Sequence, residues 1–424
     1  MQQTAAQTKK PFYGWRVALG MAMVFGASAG LFFNCNAVFT EPVPTDLGFS
    51  RGAFSMYTTI GGLGNMAAMM AYGELYRRHP LSIRKFMLAG SVLCSACVLG
   101  YSFSSRLWHF YALSILFGLM QSTISGLSLT TILNHWFVEK KGLAIGIAFA
   151  GSGVVAAVAA PAVTKIVAVY GWRWGYRALA LSGLAILLFA ILVLIREHPS
   201  QLGQQPLGLE RLQGVEGAPP QPAEMTGLTR AQAMRTPAVY LLVAGFIGIG
   251  VCGNGTLPHV IAYLGGAGYA HVSGLVMSII MITMTGAKIS LGALFDRIGP
   301  VPASIVTGCS IFFSVAALYL VGLGPFMPFV FALIYGFGSS IMTVPYSYLV
   351  SENFGTREFA AIYSFCNMLS GVVTSFGNPL SGALFDRFGN YQVVWRLYML
   401  LALAGTVLLV LSSILSGRGR YKSR

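Results

Sequence analysis

The sequence predicts an all-α integral membrane protein of twelve transmembrane helices in two pseudo-symmetric six-helix bundles. Charge is scarce, apolar runs recur at membrane-spanning length, and landmarks of the first half return in the second at a near-constant spacing. Charged residues make up 9% and apolar residues 55% of the 424, against about a quarter charged in a typical soluble domain. So few charges cannot cover a surface facing water, so most of the exterior must face lipid. A span needs about 20 apolar residues, and the chain is long enough for about a dozen.

Apolar runs bounded by charges or turn residues place spans near 14–40, 53–73, 84–104, 107–136, 141–168 and 174–195. The second set falls near 238–265, 271–294, 301–323, 326–350, 358–384 and 391–415. Residues 1–195 then form one bundle and 238–424 the other. Residues 196–237, rich in Pro, Gly, Gln and Glu at their centre, read as a polar cytoplasmic linker. The opening stretch lacks the short apolar core and cleavage site of a signal peptide, so its first apolar run is expected to remain as a span.

The net charge of +15 raises nucleic acid as a partner, but the basic residues sit in the gaps between apolar runs. With both termini inside, inner segments hold 19 of the 27 Lys and Arg and outer loops hold six, Lys165 and Lys288 lying within spans. That imbalance places both termini in the cytoplasm of a multi-pass cell-membrane protein. The six cysteines all fall inside apolar stretches, where small packing residues are expected rather than metal ligands. No cofactor or metal is implied.

The halves resemble copies. Gly73 in GELYRRHP pairs with Gly292 in GALFDRIG (292 − 73 = 219), Phe137 with Phe354 (354 − 137 = 217) and Gly171 with Gly389 (389 − 171 = 218). Duplicated transporters commonly place the substrate site between their halves near the bilayer midplane.

The stretch Gly292-Ala-Leu-Phe-Asp296-Arg297-Ile-Gly299 resembles the GxLxDRxG motif of the major facilitator superfamily, and Gly382-Ala-Leu-Phe-Asp386-Arg387-Phe-Gly389 is a second copy. Between spans two and three the motif is degraded, with Arg77 where the aspartate belongs and Pro80 where the glycine belongs, which puts the inner gate of the first half in doubt. Phe12-Tyr-Gly-Trp15, Leu47-Gly-Phe-Ser-Arg51, the Trp136–Gly146 loop followed by Gly151-Ser-Gly153, Tyr170-Gly-Trp-Arg173 and Pro258-His259 resemble one branch, the monocarboxylate transporters and oxalate/formate antiporters. The resemblance covers almost the whole chain. It implies a major facilitator fold and transport rather than catalysis.

Charge inside the membrane is the informative signal, because it is costly without a cavity or partner. Lys288 lies eight residues before Asp296, roughly 12 Å along a helix. That is too deep for easy snorkelling, so it is expected to face the central cavity and attract a carboxylate. In the resembling branch this place usually carries a substrate-binding arginine. Arginine stays protonated and offers a planar fork, whereas a buried lysine can lose its proton, so proton and carboxylate can load together at Lys288. The alternative is a cation satisfied by backbone carbonyls or water. Lys165 is expected to snorkel to the outer end of span five. His259 is a candidate proton relay or outer gate, with an ordinary interfacial hydrogen bond as the alternative.

No Asp or Glu lies in the middle of any predicted span, which argues against an exporter of cationic drugs. No second anchoring cation accompanies Lys288, so a monoanion fits better than a dianion. Neutral polar and aromatic candidates for the cavity wall are Asn34, Asn36, Tyr57, Gln121, Tyr335, Tyr346, Tyr363 and Asn367, each with plain helix packing as its alternative reading. Asp296 with Arg297, and Asp386 with Arg387, are expected at gates rather than on substrate. The function expected is alternating-access symport of a lactate- or pyruvate-like acid with protons, by a functional monomer in a lipid bilayer. An anion exchanger is the nearer alternative and a membrane sensor or intramembrane enzyme the more distant one, for which the sequence lacks the machinery.

Overall fold

The computed structural model describes residues 12–40, 42–49, 51–78, 82–209 and 227–418. The centre of the expected linker, 210–226, lies outside them, as do Pro80 and the Arg77 side chain. The long helices are α1 Gly14–Asn36, α2 Arg51–Arg78, α3 Ile83–Tyr101, α4 Leu107–Trp136, α5 Lys141–Tyr170 and α6 Trp172–Leu194. The second set is α7 Pro237–His259, α8 His271–Ile298, α9 Pro300–Tyr319, α10 Met327–Met342 with Val344–Phe354, α11 Phe359–Phe388 and α12 Gln392–Ser416. Among the described residues, ten of these are long and apolar enough to cross a membrane, and α10 is an eleventh, bent by 40° at Thr343. The twelfth, α2, has the length at 28 residues but is less apolar. It packs against α4 and α11, so part of its surface meets protein.

Two apolar cores confirm two bundles. One gathers residues from Val17 to Ile195 and the other from Leu228 to Leu409. A few side chains cross over: Val344 joins the first, and Met69, Tyr72 and Leu127 join the second. Local breaks repeat with the duplication. A 3-10 turn interrupts α4 at Ser122–Ile124 and α10 at Ser340–Met342, an offset of 340 − 122 = 218. Gly171 and Gly389 both take positive φ, 84° and 70°, where glycine carries no Cβ penalty.

The halves meet most closely along α5 and α8. A Cβ on Gly142 would collide with the Gly292 carbonyl, one on Gly146 with the Lys288 carbonyl, and one on Gly153 with the Thr285 side chain. The α2–α11 contact is equivalent, with Gly73 against the Ala360 carbonyl and Ser364. Both seams start at the face bearing the described ends of the chain and run toward the middle of the helices. Because the obstacle at Gly146 is backbone, Gly146→Leu forces α5 and α8 apart. Spin labels at the ends of α5 and α8 on that face should report a lengthened distance by pulsed EPR. An unchanged distance distribution would count against this seam as the closing contact.

Candidate functional site

Lys288 projects from the tightest part of the seam. Its Nζ donates to Ser152 Oγ of α5 at 2.9 Å, and that hydroxyl donates to the Phe149 carbonyl at 2.9 Å. The ammonium thus bridges the halves through a neutral hydroxyl and, among the described residues, forms no ion pair. It is half-buried.

Ser152 is held by α1, which changes pitch beside it. Residues Gly26–Leu31 form a π-helical segment, a geometry that recurs at functional sites. Gly26 and Gly30 let this segment lie against the Gly151 and Ser152 carbonyls, and Gln121 Nε2 of α4 donates to the Ser28 carbonyl at 3.5 Å. Ser28, Gln121, Ser152 and Lys288 therefore converge from α1, α4, α5 and α8. Of these, the sequence had singled out Lys288 and Gln121. Ser152 lay within the Gly151-Ser-Gly153 stretch, which carried part of the family resemblance and gave no sign that the serine would be a partner.

The other wall candidates divide. Tyr57 is buried in the first bundle, donating to Asn36 Oδ1 at 2.6 Å and lying 3.3 Å from the Tyr176 hydroxyl. It lines a cavity of about 40 Å³ with Asn36, Tyr101, Gln121 and Tyr176. Asn34 is exposed and Asn367 half-buried. In the second bundle Tyr335 donates to the Gly253 carbonyl at 2.8 Å, and the Tyr346 hydroxyl lies 2.9 Å from Ser370 Oγ. Both are held inside that bundle. Tyr363 stacks on Phe359 and carries its hydroxyl to Gly126 of α4, so it reaches the interface. His259 lies between Tyr391 and Asn378, 2.9 Å from each, with all these partners in the second bundle.

Asp296 closes the seam. Its carboxylate accepts from the Gly142 and Leu143 backbone N–H groups at 2.9 and 2.8 Å, capping α5 across the interface. Lys140 takes a left-handed φ of 56° just before this helix, a conformation disfavoured for a residue with a side chain. A carboxylate at a helix N-terminus gains from the dipole as well as from its hydrogen bonds. Lys141 adds a 3.9 Å contact to Glu352. Arg297 is exposed, as are Asp386 and Arg387 at the opposite end of the second bundle, where Arg387 lies over the Phe388 ring.

At the degraded motif a different device spans the halves. Arg230, in the short helix before α7, donates from Nη1 to Glu74 Oε2 of α2 at 3.1 Å, while its backbone N–H reaches Glu358 Oε2 at 2.8 Å. The three residues line a cleft of about 380 Å³ with Thr229 and Met234. Thr229 and Gln232 form a capping box that fixes this helix. The linker is tied at both ends. Leu207 pairs with Trp136 at the end of α4 and with Val138 and Glu139 in the loop after it, and the Leu228 N–H donates to the Phe354 carbonyl at the end of α10.

The model of the Major Facilitator Superfamily matches residues 17–378. The chain belongs to this superfamily. It is a membrane transporter and not an enzyme. It is 27% identical over 414 residues to monocarboxylate transporter 13 of Bos taurus, covering 94% of this chain and 89% of that protein. It is 24% identical over 400 residues to the oxalate:formate antiporter of Oxalobacter formigenes, covering 92% and 88%. Among solved structures, the E. coli fucose:proton symporter superposes with a TM-score of 0.67 at 14% identity, over 94% of this chain and 98% of that one. That likeness shows the fold. Within it, Arg230 pairs with Glu74, three residues before Arg77, where the first-half motif lacks its aspartate.

The Arg230–Glu74 pair is partly exposed, with side chains 28% and 23% accessible, so it contributes about 1 kcal/mol. Removing it with Arg230→Gln should shift the equilibrium between closed and open forms of this face about fivefold toward open. A cysteine introduced at Ser364, under the α2–α11 contact, should then react faster with a membrane-impermeant maleimide. Equal labelling rates would show that the pair does not hold the face shut.

Proposed function

We propose that this transporter carries small monocarboxylate anions, lactate- or pyruvate-like, by alternating access, with Lys288 as the anion anchor and protons moving in symport. The observation that carries the reading is an unpaired ammonium between the two halves, hydrogen-bonded to a neutral hydroxyl. A carboxylate that replaces Ser152 as the partner of Lys288 exchanges a hydrogen bond to a neutral hydroxyl for one in which donor and acceptor are both charged, and reduced local polarity strengthens it. Gln121, Asn34, Asn36, Tyr363 and Asn367 supply hydroxyls and amides to orient the acid. Tyr57, Tyr335 and Tyr346 act from behind this wall.

The rocking units are residues 1–195 and 238–424, joined by 196–237. Asp296 closes the inner face of one seam, and His259 lies where an outer gate or proton relay would stand. Both termini are assigned to the cytoplasm of the cell membrane, and the monomer is the working unit. The similarity to monocarboxylate transporters supports the substrate class, and the similarity to an oxalate:formate antiporter makes carboxylate exchange the second reading.

In proteoliposomes, Lys288→Met should abolish uptake of labelled monocarboxylate, while Lys288→Arg should retain binding and weaken the coupling to protons, because arginine does not release its proton. Full uptake by Lys288→Met would remove Lys288 from the mechanism. Symport predicts that uptake acidifies the lumen. Counterflow without a pH change would replace it with exchange.

A further inference from the structure

Helices α1, α3 and α6 meet, at the face where the halves are closed, in a patch of positive charge. The helix α6 ends in a π-helical turn, Ala190–Leu194, and the last carbonyls of a helix lack partners within it. Arg84, in the first turn of α3, donates through Nε to the Ile191 carbonyl at 2.9 Å and through Nη2 to the Leu192 carbonyl at 2.8 Å. Arg196 Nη1 donates to the same Leu192 carbonyl at 3.2 Å and to that of Ile195 at 3.0 Å. The Tyr13 hydroxyl donates to Val193 at 3.1 Å, and the Arg16 guanidinium lies 5.6 Å over the Tyr13 ring.

Arg84 alone satisfies the Ile191 and Leu192 carbonyls, so the second guanidinium, on the Leu192 oxygen, adds like-charge repulsion. Among the described residues none of the three arginines forms an ion pair. The neighbouring acid, Glu197, uses Oε1 to cap α3, accepting from Ser82 Oγ and from the Arg84 backbone N–H. The guanidiniums are nonetheless held in place. The Arg196 carbonyl accepts from Trp136 Nε1 at 2.8 Å, and among the described residues Arg84 Nη1 and Arg196 Nε and Nη2 have no protein acceptor. Beside them Leu19, Phe189, Leu192 and Val193 are 54%, 51%, 48% and 49% exposed. The patch is thus a fixed set of forked donors bordered by apolar surface.

We propose that this patch binds the headgroup phosphate of an anionic phospholipid, with the acyl chains lying on Leu19, Phe189, Leu192 and Val193. Phosphate oxygens accept two parallel N–H bonds from a guanidinium, basic pockets between membrane helices favour such headgroups, and the bound anion cancels the repulsion between Arg84 and Arg196. Arg16 closes the patch from α1. The site lies within the first bundle and is separate from Lys288.

The test is native mass spectrometry of the purified transporter with added phosphatidylglycerol, phosphatidylcholine or inorganic phosphate. Phosphatidylglycerol should be retained in preference to phosphatidylcholine. Arg16→Gln, which removes no carbonyl hydrogen bond and so leaves folding intact, should lower that retention about fivefold, and Arg84→Gln with Arg196→Gln should lower it further. Equal retention of the two lipids, or undiminished retention by Arg16→Gln, overturns the proposal. Displacement of phosphatidylglycerol by equimolar inorganic phosphate overturns the lipid assignment and makes the ligand a soluble anion.

Discussion

The close approach of α5 and α8 is the constraint on which the rest of the structure depends. It exists because Gly142, Gly146 and Gly292 place nothing but backbone between the helices. Lys288 belongs to the same turn of α8, and its own carbonyl faces Gly146. The cation and the closing seam are therefore one element. Anything that pulls on the ammonium acts at the point where the halves touch, eight residues from the Asp296 cap. With Lys288 as the proposed anion anchor, coupling to the seam needs no long pathway through the protein. A ligand shifts such an equilibrium only by its differential affinity for the two states, and on the proposed reading the difference arises from Ser152 lying on the opposite half.

The two seams are related by duplication but held by different chemistry. Along α5–α8 a carboxylate caps a helix N-terminus through two backbone bonds. Along α2–α11, where the aspartate has been replaced by Arg77, Arg230 bridges the halves from outside the helices. The capping box at Thr229 and the Leu228–Phe354 bond set the register of that arginine, so the linker serves as part of the closing device. The cap is a directional pair of backbone hydrogen bonds, whereas an ion pair with both side chains partly exposed is screened by salt. The second seam is the one whose closure responds to ionic conditions.

Much of the fold was legible in sequence, because lipid imposes a length and a composition on every span. The helix limits of α4 and α5 and the repeat offset follow from such rules. Other features were not legible for identifiable reasons. The bend of α10 depends on the 3-10 turn at Ser340–Met342 and on Pro345 in the helix beyond it. The π-helical turn of α1 is written in Gly-Ala-Ser-Ala-Gly, a string that also suits straight, close packing.

The candidate site was partly legible for the same kind of reason. A lysine in an apolar run is conspicuous because its desolvation is costly, and so Lys288 stood out. Tyrosines are not conspicuous, since each has an apolar body that packs well and a hydroxyl that one carbonyl satisfies. Tyr335 found Gly253 and Tyr346 found Ser370, which turned both into the second bundle, while Tyr363 reached the interface because α11 presents it to Gly126. The serine that receives Lys288 carried the least signal of all. A hydroxyl becomes a partner only when two helices from different halves come within hydrogen-bond reach, and that reach is set by glycines along α1, α5 and α8, remote in sequence from one another.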